Sequence, residues 1–95
     1  MLVLVAYDIN TTSSQGRFRL RTISKLCERY GKRVQKSLFE CSINAAEQRM
    51  LEKELLREID PSQDNVRIYL MGNHGFDKVI CHGTASPSTS DVLIY

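Results

Sequence analysis

The chain has 95 residues, 42% hydrophobic and 25% charged, with a formal net charge of +2 and three cysteines. This is the length of one domain with a single core, and the composition excludes a globally disordered polymer. No apolar run approaches membrane-spanning length, and the odd, widely spaced cysteines Cys27, Cys41 and Cys81 read as free thiols of a cytoplasmic protein.

The chain opens on Leu-Val-Leu-Val-Ala-Tyr-Asp, residues 2–8. Its β-branched apolar residues predict a buried strand, and no basic region or small-residue cleavage site marks it as a signal peptide. The strand delivers Asp8 at its end, where a rigid element can hold a general base or a metal ligand at low entropic cost. Termination of the strand and capping of the next turn is the alternative role for the same acid.

A polar loop, residues 10–16, offers several N-cap residues. A helix is predicted over 17–30, with Phe18, Leu20, Ile23, Leu26, Cys27 and Tyr30 as its buried stripe and Gly31 as a left-handed C-terminal residue. The extended stretch 33–43 loses its alternation near Leu38 and Phe39, which predicts a bulge or a break into two short strands. Asn44 and Glu47 form a capping box for a second helix that buries Ala46, Met50, Leu51, Leu55, Leu56 and Ile59 and stops before Pro61. Strands follow at 66–71 and 77–82, separated by a turn at 72–75. Residues 83–90 form a Gly/Ser/Thr/Pro linker, and residues 91–95 a strand-like tail.

This order predicts an α+β fold, a ferredoxin-like βαββαβ sandwich over 1–82 with an additional C-terminal strand at 91–95. Two helices on one face of the sheet leave its other face bare. The expected cover is a second copy, with the tail strand packing on that partner.

Asp8 has no second acid nearby in sequence, since Asp60, Asp64, Asp77 and Asp91 all occupy turn-like positions. Mg²⁺ takes one or two carboxylates with water and phosphate oxygens. A two-fold axis near the end of the first strand would therefore pair two Asp8 side chains. Arg17, Arg19 and Arg21 open the first predicted helix against its dipole, with Lys32, Arg33 and Lys36 just beyond its end. Phosphate binding is one reason for that placement, and a solvated helix face is the other. Phe39 is expected in the core or a dimer interface, or stacked beside a bound strand. His74, His82 and Cys81 match no zinc spacing, and no glycine-rich phosphate loop or nucleophile elbow is present.

Val-Ala-Tyr-Asp-Ile at 5–9, Arg17 and Arg19, Arg-Val-Gln-Lys-Ser-Leu-Phe-Glu at 33–40 and Asp-Asn-Val-Arg-Ile-Tyr at 64–69 together resemble the CRISPR-associated Cas-two (Cas2) family. The resemblance runs along almost the whole chain. Residues 71–78 match no motif. It implies a ferredoxin-fold homodimer described either as a Mg²⁺-dependent (possibly Mn²⁺-dependent) endonuclease on RNA or DNA or as the often non-catalytic centre of the spacer-acquisition complex with the Cas-one integrase. It further implies a catalytic and metal-binding role for Asp8. Nucleic-acid contacts are implied for Tyr7, Arg17, Arg19, Arg33 and Phe39. The virulence-associated ribonuclease toxins of type D share the fold and the early acid. An RRM-like RNA binder shares the topology but needs a stacking motif that 33–40 lacks.

Overall fold

A computed structural model gives the structure, described for residues 1–72 and 75–84, with backbone alone for 75–77. The elements are β1 (Leu2–Asp8), α1 (Ser14–Tyr30), β2 (Lys32–Gln35), β3 (Leu38–Ser42), α2 (Ala45–Glu58), β4 (Asn65–Gly72) and β5 (Gly75–Gly83). They form one antiparallel sheet in the order β2-β3-β1-β4-β5, so the first four strands have the ferredoxin-like arrangement and β5 extends the β4 edge. The linker and tail expected at 85–95, and His74, lie outside the described residues. Gly83, placed in the linker by its composition, instead ends β5 opposite Asn65. Among the described residues no helix is long and apolar enough to cross a membrane.

The period-two alternation of β1 decides what the fold can do. Val3, Val5 and Tyr7 face the helices and join Ile23, Leu26, Cys27, Phe39, Cys41, Leu51, Leu55, Val66 and Ile68 in the core. Leu2, Leu4, Ala6 and Asp8 therefore share the opposite face. Their cross-strand partners there include Leu38, Glu40, Asn65, Arg67, Tyr69 and Met71. Leu2 and Val79 on this face remain 37% and 41% exposed. Ala6 and Tyr69 on the same face are buried, so the bare apolar face expected from the sequence is exposed at Leu2 and Val79 but not along its centre.

The break in alternation at Leu38 and Phe39 is a hairpin: β2 and β3 are joined across Lys36 and Ser37, with a register shift between Arg33 and Gln35. The capping box also forms, Asn44 Oδ1 accepting from the Glu47 amide at 2.8 Å and Glu47 Oε1 from the Asn44 amide at 3.0 Å. Both signals are local, and local geometry satisfies them.

Three helical expectations are corrected. Helix α1 begins at Ser14, because Ser13 Oγ accepts from the Gly16 amide at 3.0 Å and caps the helix a turn early. Arg19 and Arg21 thus lie beyond the first turn, where the dipole opposes them less. Phe18 is 60% exposed, since Leu20, Ile23, Leu26, Cys27 and Tyr30 complete the stripe and position 18 falls about 145° away from its centre. Likewise Ala46, Met50 and Leu56 of α2 face outward, and Gln48 is buried with Leu51, Leu55 and Ile59.

Gly31 is not left-handed: its φ of −162° and ψ of −164° are open to any residue. Space requires the glycine there, for a Cβ would meet the Glu40 carbonyl oxygen and Sγ and Cα of Cys41. Two of those atoms are backbone and give way poorly. Gly31→Ala is expected to cost about 1–3 kcal/mol as an overpacked site, a melting-temperature loss of at least about 4 °C. A variant melting with the wild type would show that the α1–β3 contact is looser than this.

Candidate functional site

At the C-terminal end of β1 the chain passes from a buried aromatic to an exposed acid. Tyr7 is 3% exposed, its amide donating to the Ser37 carbonyl at 3.1 Å. Its hydroxyl lies 2.8 Å from Ser24 Oγ and donates to the Lys36 carbonyl at 3.4 Å. Burial pushes the phenol above its ordinary value, against the Ser24 hydrogen bond, so Tyr7 is neutral at physiological pH. Tyr7 thereby ties β1 to α1 and to the β2–β3 hairpin tip, and Asp8 follows in solvent.

A cleft of about 370 Å³ opens beside Asp8, lined by Tyr7, Asp8, Thr11, Ser24, Arg33 and Lys36 among others. Arg33 is held there by three contacts: its guanidinium lies 5.1 Å from the Phe39 ring centroid, donates to the Lys36 carbonyl at 3.0 Å and pairs with Glu28 at 3.4 Å. One carboxylate and two cations thus share a polar cleft. An anionic group entering it meets Arg33 and Lys36 while Asp8 stands beside it.

The expected nucleic-acid residues divide. Arg33 joins Asp8 in the cleft, and Arg17 is exposed near it, with NH1 donating to the Thr11 carbonyl at 3.3 Å. Arg19 turns the other way, its Nε and NH2 donating to Asp64 at 2.7 and 3.3 Å. Its ion pair is inside the fold, so the helix-face arginines do not act as a set. Phe39 is 0% exposed and stacks on Tyr7 with centroids 6.1 Å apart. Contact with nucleic acid by Tyr7 or Phe39 is therefore corrected to support: both lie beneath the cleft in the core, and neither ring presents a face to a ligand.

Lys36, one of the basic residues read beyond the first helix, sits at the hairpin tip. One contributor was missed from the sequence. Asp64 is fully buried, although its sequence neighbourhood reads as a turn. It accepts from the amides of Asn10 at 3.0 Å and Asp60 at 2.8 Å as well as from Arg19. It fixes the β1–α1 loop that borders Asp8. Its partners Asn10 and Arg19 are 54 and 45 residues away in sequence, and no local pattern announces them.

A hard divalent cation needs oxygen donors in an open site. The exposed Asp8 carboxylate and neighbouring hydroxyls are of that chemistry. Among the described residues, no group of three or more His, Cys, Asp or Glu side chains is placed to hold a metal ion. One protomer thus fits a cation held by one carboxylate with water and bound phosphate, and does not form a closed cage. His82 is likewise no ligand cluster: it lies 2.6 Å from Glu52, joining β5 to α2.

The family profile described as CRISPR associated protein Cas2 matches residues 1–79. The chain belongs to the Cas2 family. It is 46% identical over 87 residues to a Chlorobaculum tepidum protein named CRISPR-associated endoribonuclease Cas2, covering 92% of this chain and 91% of that one. It is 44% identical over 97 residues to a Halalkalibacterium halodurans protein named CRISPR-associated endonuclease Cas2, covering both chains completely. The crystal structure of Streptococcus pyogenes Cas2 at pH 6.5 superposes with a TM-score of 0.71 at 50% identity, over 76% of this chain and 87% of that one. In this chain Asp8, the acid of β1, lies on the sheet face away from the helices.

Proposed function

We propose that this chain is a metal-dependent endonuclease of CRISPR adaptation, hydrolysing phosphodiester bonds of RNA or DNA in the cytoplasm as a homodimer. The observation that carries this reading is the exposed Asp8 at the end of β1, beside Arg33 and Lys36. The names endoribonuclease and endonuclease borne by its relatives support it.

Asp8 would hold Mg²⁺, or Mn²⁺ in its place. When bound, the ion supplies positive charge at the scissile phosphate and makes water a better nucleophile. Arg33 and Lys36 bind and orient the phosphate, and Arg17 extends the basic surface along the strand. Tyr7 and Phe39 keep β1 and the hairpin in fixed relation from below. The open sheet face suits a second copy, and because Asp8 lies on it, pairing through it would give a site with two carboxylates. The expected further partner is the Cas-one integrase.

A second reading, a DNA-binding scaffold of the spacer-acquisition complex without catalysis, draws on the lone carboxylate of the protomer. Cleavage of single- and double-stranded RNA and DNA, followed with Mg²⁺ and with chelator, separates the two. The proposal expects a dimer by light scattering and cleavage of at least one substrate, abolished by chelator. Binding of duplex without cleavage of any substrate would replace the nuclease reading with the scaffold.

A further inference from the structure

The outward face of α2 carries Arg49, Lys53 and Arg57 at successive intervals of four residues. At 1.5 Å and about 100° per residue they form an inclined row, with about 6 Å between neighbours along the axis and about 40° of turn from each to the next. Like charges at this spacing disfavour an isolated helix by tenths of a kcal/mol per pair, whereas a Glu at i and a Lys at i+4 would favour it. The acids of this helix are engaged with other partners. Glu47 closes the capping box, Glu52 bonds His82, and Glu54 accepts from Tyr30 at 3.2 Å and pairs with Arg29. Glu58 lines the groove between α1 and α2 with Thr22, Leu26 and Glu54, a groove that Arg57 also borders at the end of the row.

The three cations border a shallow depression with Glu52 and Leu56. Glu52 is turned to His82, and no described carboxylate forms an ion pair with any of the three cations. They lie on the helix layer, on the opposite side of the molecule from the open sheet face. A second copy covering that face would leave the row accessible.

We propose that the Arg49–Lys53–Arg57 row is a second nucleic-acid contact, a track for a phosphodiester backbone separate from the Asp8 cleft. A regular line of cations matches a polyanion whose charges repeat along one strand, and it reads no bases. The inference rests on the reading of the chain as a nucleic-acid enzyme and adds to it where the strand continues beyond the cleft. An acidic protein segment is the competing occupant.

The test titrates the full chain with a duplex oligonucleotide in chelator, so that binding is read without cleavage, at several salt concentrations. Three proteins are compared: wild type, the triple variant Arg49→Gln/Lys53→Gln/Arg57→Gln, and Arg33→Ala. A fourth, Glu58→Gln, controls for a general change of charge on α2. Each phosphate contact contributes about 0.9 to the log–log salt slope. The triple variant is expected to lose about 2–3 units of slope and at least about tenfold in affinity, with unchanged melting temperature, and Glu58→Gln to keep the wild-type slope. An unchanged slope in the triple variant, with a reduced slope in Arg33→Ala, overturns this inference alone. Wild-type protein that shows no salt-dependent binding overturns the nucleic-acid reading itself, and the track with it.

Discussion

Asp64→Asn is expected to lower the melting temperature by about 12 °C. Asp64 is 0% exposed and accepts four hydrogen bonds, two from backbone amides and two from Arg19. An amide in its place keeps one acceptor oxygen and turns a donor toward the remaining donors. Arg19, whose side chain is only 15% exposed, loses its counter-ion. Breaking a buried pair by removing one partner costs about 3–5 kcal/mol, and in a domain of this size each kcal/mol moves the midpoint by about 4–8 °C. The lower end of both ranges gives the expected shift. A variant melting within about 3 °C of wild type would mean the loop and turn hold without this carboxylate.

The same residue gives the stability a pH dependence of definite sign. Burial alone would push the Asp64 carboxyl up, but Arg19 and the amides of Asp60 and Asn10 outweigh it and hold it below the usual carboxylate range. A carboxylate whose pKa is lower in the folded state stabilises the fold fully above its unfolded value, near 3.9. That contribution disappears as the pH falls through the folded value. Thermal melts across the acid range should therefore show a steep loss of stability below about pH 3.9 in wild type and a shallower one in Asp64→Asn.

Asp64 also marks where sequence reasoning ends. Residues 60–64, Asp-Pro-Ser-Gln-Asp, look like a turn, and Asp60 does cap one, its Oδ1 accepting from the Ser62 amide at 3.0 Å. Nothing within that pentapeptide distinguishes the acid that stays on the turn from the acid that is drawn into the fold by Arg19. Gly31 is similar: its neighbour in space is β3, and the chain alone suggests only a helix ending. Features governed by nearby residues were legible, such as the β1 strand that ends at Asp8, the capping box at Asn44 and the break in alternation near Leu38. The α1 stripe was legible except at Phe18, where hydrophobicity was taken for burial and the helical angle was not. The core position of Phe39 was legible, whereas its cover by Tyr7 and Arg33 comes from other elements.

The central claim is that Asp8 is the chemical residue of this chain and not a strand terminus. Asp8 is exposed, and no side-chain hydrogen bond of the described residues depends on it. Asp8→Asn should therefore leave the melting temperature within about 2 °C of wild type, as surface changes do. Loss of the carboxylate removes the one acid that lines the cleft. Cleavage should fall more than about 100-fold, beyond the 10–100-fold typical of residues that merely orient a ligand. Binding of the oligonucleotide in chelator should persist, because Arg17, Arg33 and Lys36 are untouched. The decisive measurement is the Mg²⁺-dependent cleavage rate of purified Asp8→Asn against wild type, with melting and binding recorded on the same preparations. Lost cleavage with intact folding and binding is the predicted result, and cleavage at the wild-type rate would contradict the account.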